Sequence, residues 1–153
     1  MQTENKEYVI LEVKMFDKDG NLIKEETKER DLVVNAGLAL RAALLGDVSS
    51  PSAINAIAVG TGTATPAATD TALGDEVERV ASTNSVTTTN VTDDTLEVVG
   101  TISFTASYAI SEVGTFNSTT ASSGTMYSRD TTGPYNVVSG TSLQFTIKFV
   151  QVS

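Results

Sequence analysis

Residues 95–118 read TLEVVGTISFTASYAISEVGTFNS, and residues 142–152 read SLQFTIKFVQV. Both stretches are rich in β-branched and aromatic side chains and alternate in places, as strands with one buried face do. Outward from them, SVTTTNVT (85–92) and GTMYSRD (124–130) have the same character. The segments DD, STTASSG and TTGPYNVVSG separate these runs with turn-forming residues, and Asp93-Asp94 reads as a tight hairpin turn. From Ser82 onward the chain is therefore expected to be all β, in five strands.

The chain before Ser82 adds less regular material. EYVILEVKMFDKDGNLIKEETKER (7–30) reads as a hairpin: Val9, Leu11, Val13 and Met15 alternate onto one face, and DKDGN supplies the turn, with Gly20 free to take positive φ. Its return arm is charged and suits a blunted edge strand. Asp17, Asp19 and Gly20 do not make a calcium loop, which needs its glycine sixth and a glutamate twelfth. In DLVVNAGLALRAALLGD (31–47), Asn35 is the expected cap of a short helix carrying Leu38, Leu40, Ala42, Leu44 and Leu45. Gly46 is placed to end that helix, whose apolar residues predict burial on more than one side. A short strand follows at INAIAVG, and residues 70–81 suit either a helical turn or a curved strand.

Five strands after Ser82 and three before it, at spacings of about ten residues, predict an all-β fold. The expected architecture is a β-sandwich or jelly-roll-like barrel of about eight strands with one short α-helix. A single globular domain is expected, with residues 1–30 as an N-terminal β-hairpin or arm and residues 31–153 as the sandwich. The hairpin's apolar face must lie on the sandwich or on a neighbouring subunit. The Lys and Glu alternation from Lys24 to Glu29 favours a role at a subunit contact.

Composition excludes much chemistry. The 153 residues, 40% of them hydrophobic, make one domain large enough to fold without staples. Neither cysteine nor histidine occurs, which removes Ser-His-Asp and Cys-His catalysis and the usual zinc sites. Ten basic and nineteen acidic residues give a net charge of −9 and a pI near 4.3, which opposes nonspecific binding to nucleic acid or anionic membrane. The start MQTENKEYVI lacks the pattern of a signal peptide, and no long apolar run follows. No metal, cofactor or catalytic residue is expected.

The loop GTGTATPAATDTALGDEVERVA (60–81) invites a phosphate-binding reading that its residues refuse. No lysine lies between Lys28 and Lys148, and the acids Asp70, Asp75, Glu76 and Glu78 would repel a nucleotide. Gly60, Gly62 and Pro66 are instead expected to shape backbone, while Leu73, Val77 and Val80 return the chain to the core. An acid pair of the glycosidase kind could draw on Asp70, Asp75, Glu76, Glu112 and Asp130. No aromatic cluster accompanies them and tryptophan is absent, so they read as ordinary acidic loops.

The blocks LVVNAGLALRAALLG, IAVGTGTATPAATDTALGDEVERVA, ISEVGTFN, GTMYSRD and SLQFTIKF, in that order, resemble small structural proteins of tailed phages, prophages and related archaeal viruses. The resemblance covers Asp31 to the C-terminus. It implies a non-enzymatic virion structural protein, a tail-fibre-like or capsid-decorating subunit made in the host cytoplasm. Other virion proteins, of capsid or tail, are the implied partners, with a homo-oligomer, a trimer favoured. The alternative is a carbohydrate- or host-surface-binding module of a viral adhesin, with Tyr108, Tyr127 and Tyr135 as candidate contacts on loops.

One polar contact stands out. Glu112 sits amid apolar neighbours in ISEVG, and a carboxylate near a sheet interior needs a cation or several donors. Arg79 is the leading partner for an ion pair and Arg129 its competitor, unless Glu112 simply faces water.

Overall fold

The computed structural model describes residues 7–30 and 32–152. The leader reading falls on residues 1–6 and the domain boundary on residue 31, outside the described residues. Nine strands and one helix follow in order: β1 (Glu7–Phe16), β2 (Leu22–Arg30), α1 (Asn35–Gly46), β3 (Ala56–Gly60), β4 (Glu76–Ala81), β5 (Thr83–Thr87), β6 (Thr95–Ser103), β7 (Tyr108–Phe116), β8 (Met126–Val137) and β9 (Ser142–Gln151). They form two antiparallel sheets, β2-β1-β9-β6-β5 and β4-β3-β7-β8. The fold is thus all-β and sandwich-like, and β4 settles the open reading of residues 76–81 as strand.

The hairpin forms as expected. Gly20 takes φ +81°, and the carbonyl of Asp17 accepts from its N–H at 3.0 Å. β1 then pairs with β9 along its whole length, from Glu7↔Gln151 to Phe16↔Ser142. Val9, Leu11, Val13 and Met15 consequently enter the core beside Phe145, Ile147 and Phe149. The hairpin is part of the five-stranded sheet, and its apolar face is not a subunit contact: ten residues of backbone pairing and four buried side chains commit it to this chain.

The four-stranded sheet is covered on both faces. Ile57, Val59, Val113, Tyr127 and Tyr135 belong to the main core between the sheets. On the opposite face Ala56, Ala58, Phe116 and Met126 pack with Val34 and Leu73. Two-sided burial accounts for β3 being buried at every position instead of alternating. The roof over this second face is the loop 61–75, whose Leu73 sits against Gly114.

Three local expectations need correction. Val34, not Asn35, occupies the cap position of α1, without a side-chain cap bond: its backbone is extended while its carbonyl accepts from the Leu38 N–H at 3.0 Å, and the Asn35 N–H donates to the Ala68 carbonyl of the roofing loop at 2.8 Å. Asp47, with φ 48°, ends the helix one residue after Gly46. Only Gly37 and Leu40 are buried in α1, while Leu38 is 50% and Leu45 82% exposed. The helix lies on β8 along a single face, so close at Gly37 that a Cβ there would stand 2.1 Å from the Tyr127 carbonyl oxygen.

Two turn readings also change. The β5–β6 connection spans residues 88–94, longer than a tight Asp93-Asp94 turn; the Asp94 carboxylate organises it by accepting from the N–H groups of Thr89, Asn90 and Val91. TTGPYNVVSG is not a separator, since β8 runs on through Gly133-Pro134 to Val137.

Candidate functional site

The cluster with the most polar chemistry lies on the roofed face, where β7, β8 and the loop 61–75 meet. Glu112 of β7 is fully buried. Its Oε1 accepts from the N–H groups of Gly62 at 3.0 Å and Asp75 at 2.8 Å. Its Oε2 accepts from the Gly74 N–H at 2.9 Å and from Nε and Nη2 of Arg129 at 3.0 and 2.9 Å. The loop is therefore an anion cradle after all, built from backbone amides at its two ends, Gly62 on one side and Gly74 and Asp75 on the other. The anion it holds is a carboxylate of its own chain.

The glycines follow from that arrangement. A Cβ at Gly62 would stand 2.5 Å from Glu112 Oε1, and one at Gly60 would stand 2.3 Å from the Asp75 carbonyl oxygen. Both positions exclude a side chain by close approach rather than by an unusual φ. The loop also closes on itself: the Thr61 N–H donates to the Asp75 carbonyl and the Thr61 hydroxyl to the Asp75 carboxylate at 2.7 Å.

Arg129 has no free face in this cluster. Nη1 donates to Asp70 at 2.8 Å and Nη2 also to the Ala64 carbonyl at 3.1 Å. Asp70 in turn accepts from the Ala67 N–H, and one guanidinium ties two points of the loop, Ala64 and Asp70, to β8. Burial pushes the Glu112 carboxyl up, but the amides of Asp75 and Gly74, the Arg129 guanidinium and the Gly62 amide outweigh it and hold it below its ordinary 4.5. The Ala67 amide and Arg129 likewise hold Asp70 below its usual range.

Arg79 is not the partner of Glu112. Its guanidinium donates to Glu76 twice, Nε and Nη2 each at 2.8 Å, and Nη1 donates to the carbonyls of Ser118 and Ser123. It lies 3.9 Å from the centre of the Phe116 ring. Register explains the exchange of partners: Arg79, Ala58, Gly114 and Arg129 form one row across the four strands. The two arginines stand at opposite ends of that row, and Glu112 lies on the strand next to β8.

The tyrosines also fall differently from expectation. All three lie on strands, Tyr108 in β7 and Tyr127 and Tyr135 in β8. Tyr127 and Tyr135 are 5% and 1% exposed, leaving only Tyr108 of the three at the surface. The Tyr127 hydroxyl donates to Glu7 at 2.9 Å and that of Tyr135 to Glu26 at 2.6 Å. Burial, with these carboxylates beside them, pushes both phenols up.

Sequence reasoning missed a second cluster beneath α1. Arg41 donates to both Glu7 and Gln151, and the Gln151 amide donates to Glu7 at 3.0 Å. Arg41 was visible as the helix's single charge, but partners 34 and 110 residues away leave no local signal.

Chemically, the Glu112 centre is a clamp. Both carboxylate oxygens are engaged by five donors, an arrangement that stabilises the ionised form and opposes proton transfer. Among the described residues no group of three or more acids is placed to hold a metal ion, and no helix is long and apolar enough to cross a membrane. No family model matches the chain, and neither a curated protein nor a solved structure matches it.

Proposed function

We propose that the protein is a non-enzymatic structural subunit of a virion, either tail-fibre-like or capsid-decorating, working through repeated protein contacts with other virion proteins. One observation supports the structural half of this reading: the buried polar cluster faces inward and is engaged by its own chain, with Glu112 fully buried. An acid meant for catalysis must instead meet substrate in an open cleft. What the surface offers is strand edge and an apolar helix face, suited to contacts repeated in an array where avidity does the holding. The virion half rests on the five ordered sequence blocks.

Antibody labelling of particles from the producing culture, viewed by electron microscopy, tests it. Label repeating at fixed positions on heads or tails is the expected result. Particles that carry none of the protein while the surrounding lysate does would overturn the reading.

A further inference from the structure

The four edge strands of the sandwich are not equally protected. β2 carries Lys24, Glu26 and Lys28 opposite Met15, Val13 and Leu11, so three charges point to the inner side of the sheet, a common way of blunting an edge. β4 holds Glu76, Glu78 and Arg79 and has a register shift at its start. β8 contains Pro134, which lacks an N–H, and its pairing with β7 shifts twice. β5 has none of these devices. Between Arg79 and Asp93 the chain carries no charged residue, and Thr83 to Val86 are all exposed. Among the described residues β5 pairs with β6 alone.

We propose that β5 is a self-recognition edge, through which two copies of this chain pair antiparallel with Ser85 of each at the two-fold axis. The joined sheets would run continuously through both sandwiches. Identical antiparallel strands oppose residues of the same face, so the charge pattern decides which edge can meet itself. About Ser85, the opposed pairs are Ser85 with Ser85, Asn84 with Val86 and Thr83 with Thr87, and none is charged. About Glu26, β2 would oppose Glu26 to Glu26 and Lys24 to Lys28; about Thr27 it would oppose Glu25 to Glu29. For a chain of net charge −9, a neutral, hydroxyl-rich edge is where two copies approach with least repulsion.

The surroundings of β5 fit the same occupant. Val86, 61% exposed, stands opposite Leu96 of β6. Leu96 lines an apolar groove of about 260 Å³ together with Leu44, Leu45, Ile54 and Phe149. The Asn84 side chain donates to the Ile54 carbonyl at 2.6 Å, so the groove opens beside this strand. The inner-face residues of a second β5 would extend the sheet along that opening. This contact stands independently of the virion reading.

The test uses the full chain. Sedimentation over a concentration series should show wild type passing from one to two chains of 16.0 kDa each. Ser85→Asp, which sets two carboxylates across the axis, should weaken association at least about tenfold, with only the small drop in thermal midpoint expected from Glu97 opposite it on β6. The chain has no cysteine, so Ser85→Cys introduces a single thiol that should give an oxidised dimer much faster than Thr27→Cys on β2. A wild type that stays monomeric throughout, including one whose edge takes up an added foreign strand, would overturn self-pairing. So would unchanged association of Ser85→Asp, or equal cross-linking of the two cysteine variants.

Discussion

Arg79 and Arg129 occupy opposite ends of one row across the four-stranded sheet, are nearly equally buried at 2% and 3% side-chain exposure, and do different work. Arg129 reaches a fully buried carboxylate that five donors share, and so holds a seventeen-residue separation of chain together with the roofing loop. Arg79 takes its carboxylate from three residues away, and the tie it makes is to the carbonyls of the 118–123 turn and the Phe116 ring. A buried guanidinium is therefore not one kind of element. Its weight depends on whether its loss strands a charge that has no route to water.

The largest effect expected from that difference is at Arg129. Arg129→Met leaves Glu112 ionised, buried and short of two donors, which costs about 3–5 kcal/mol for a broken buried pair. Glu112→Gln should cost about 1–3 kcal/mol, since its amide NH2 would face backbone N–H donors, while Arg129 keeps Asp70 as its counter-charge. A double-mutant cycle read by urea unfolding should give strong coupling between these two changes and additive losses for Arg79→Met with Glu112→Gln. Coupling of the second kind would break the distinction between the two arginines.

Acid sharpens it further. Glu112 and Asp70 are both held below their ordinary values of 4.5 and 3.8. A carboxyl whose pKa is depressed by folding contributes stability that is fully present above its unfolded value and is lost as pH falls through the folded one. Stability should thus be flat from about pH 5 to about pH 9, fall steadily below that range, and fall again above it as unfolding releases the phenol protons of Tyr127 and Tyr135. In Arg129→Met the Glu112 carboxyl loses a cation, its pKa rises, and acid unfolding should begin at higher pH. Arg79→Met should lower stability without moving the pH at which it begins to fall, a comparison that urea unfolding across a pH series would make directly.

The two arginines also mark what the sequence could say. That Glu112 needed a partner was readable from its apolar neighbours, and both candidate cations were nameable. Which one it met was decided by cross-strand register, set by pairings such as Gly114↔Arg129 and Ala58↔Arg79, and no local pattern encodes those. The hairpin was legible because alternation and a glycine turn are local. Its destination was not, because that depended on β9, more than a hundred residues away. The helix was over-buried for a related reason: leucines all round suggest burial all round, yet contact with β8 at Gly37 and Leu40 alone leaves Leu38 and Leu45 outside. β8 was cut short because Gly133-Pro134 has the composition of a turn while lying on an edge strand, where a missing N–H is tolerated.

Arg79→Met should come next in size, at about 2–3 kcal/mol, as hydrogen bonds from a charged donor to the Ser118 and Ser123 carbonyls and to Glu76 are lost. The loss should be local. Amide exchange should quicken in residues 117–125 and remain slow in β3 and β7. Uniform quickening throughout the four-stranded sheet would mean that Arg79 carries the sheet as Arg129 does, and the contrast between them would fail.

The smallest effect belongs to a third arginine, which tests whether exposure is what sets the scale. Arg41 is 39% exposed on its side chain and pairs with a Glu7 that is only 6% exposed. Burial of Glu7 alone would suggest a large loss on Arg41→Ala. The Arg41 side chain, however, is open to solvent, so water can take its place at the pair, and Glu7 also keeps the Tyr127 hydroxyl and the Gln151 amide as donors. The expected loss is therefore about 0.5–1 kcal/mol, or roughly 2–4 °C in thermal midpoint at the upper end of that range. It should appear as faster amide exchange within α1, which loses a tie to β1 and β9, with the strands unchanged. A loss as large as that of Arg129→Met would show that water does not take the place of the guanidinium at Glu7, and that exposure of the cation does not set the cost of removing it in this fold.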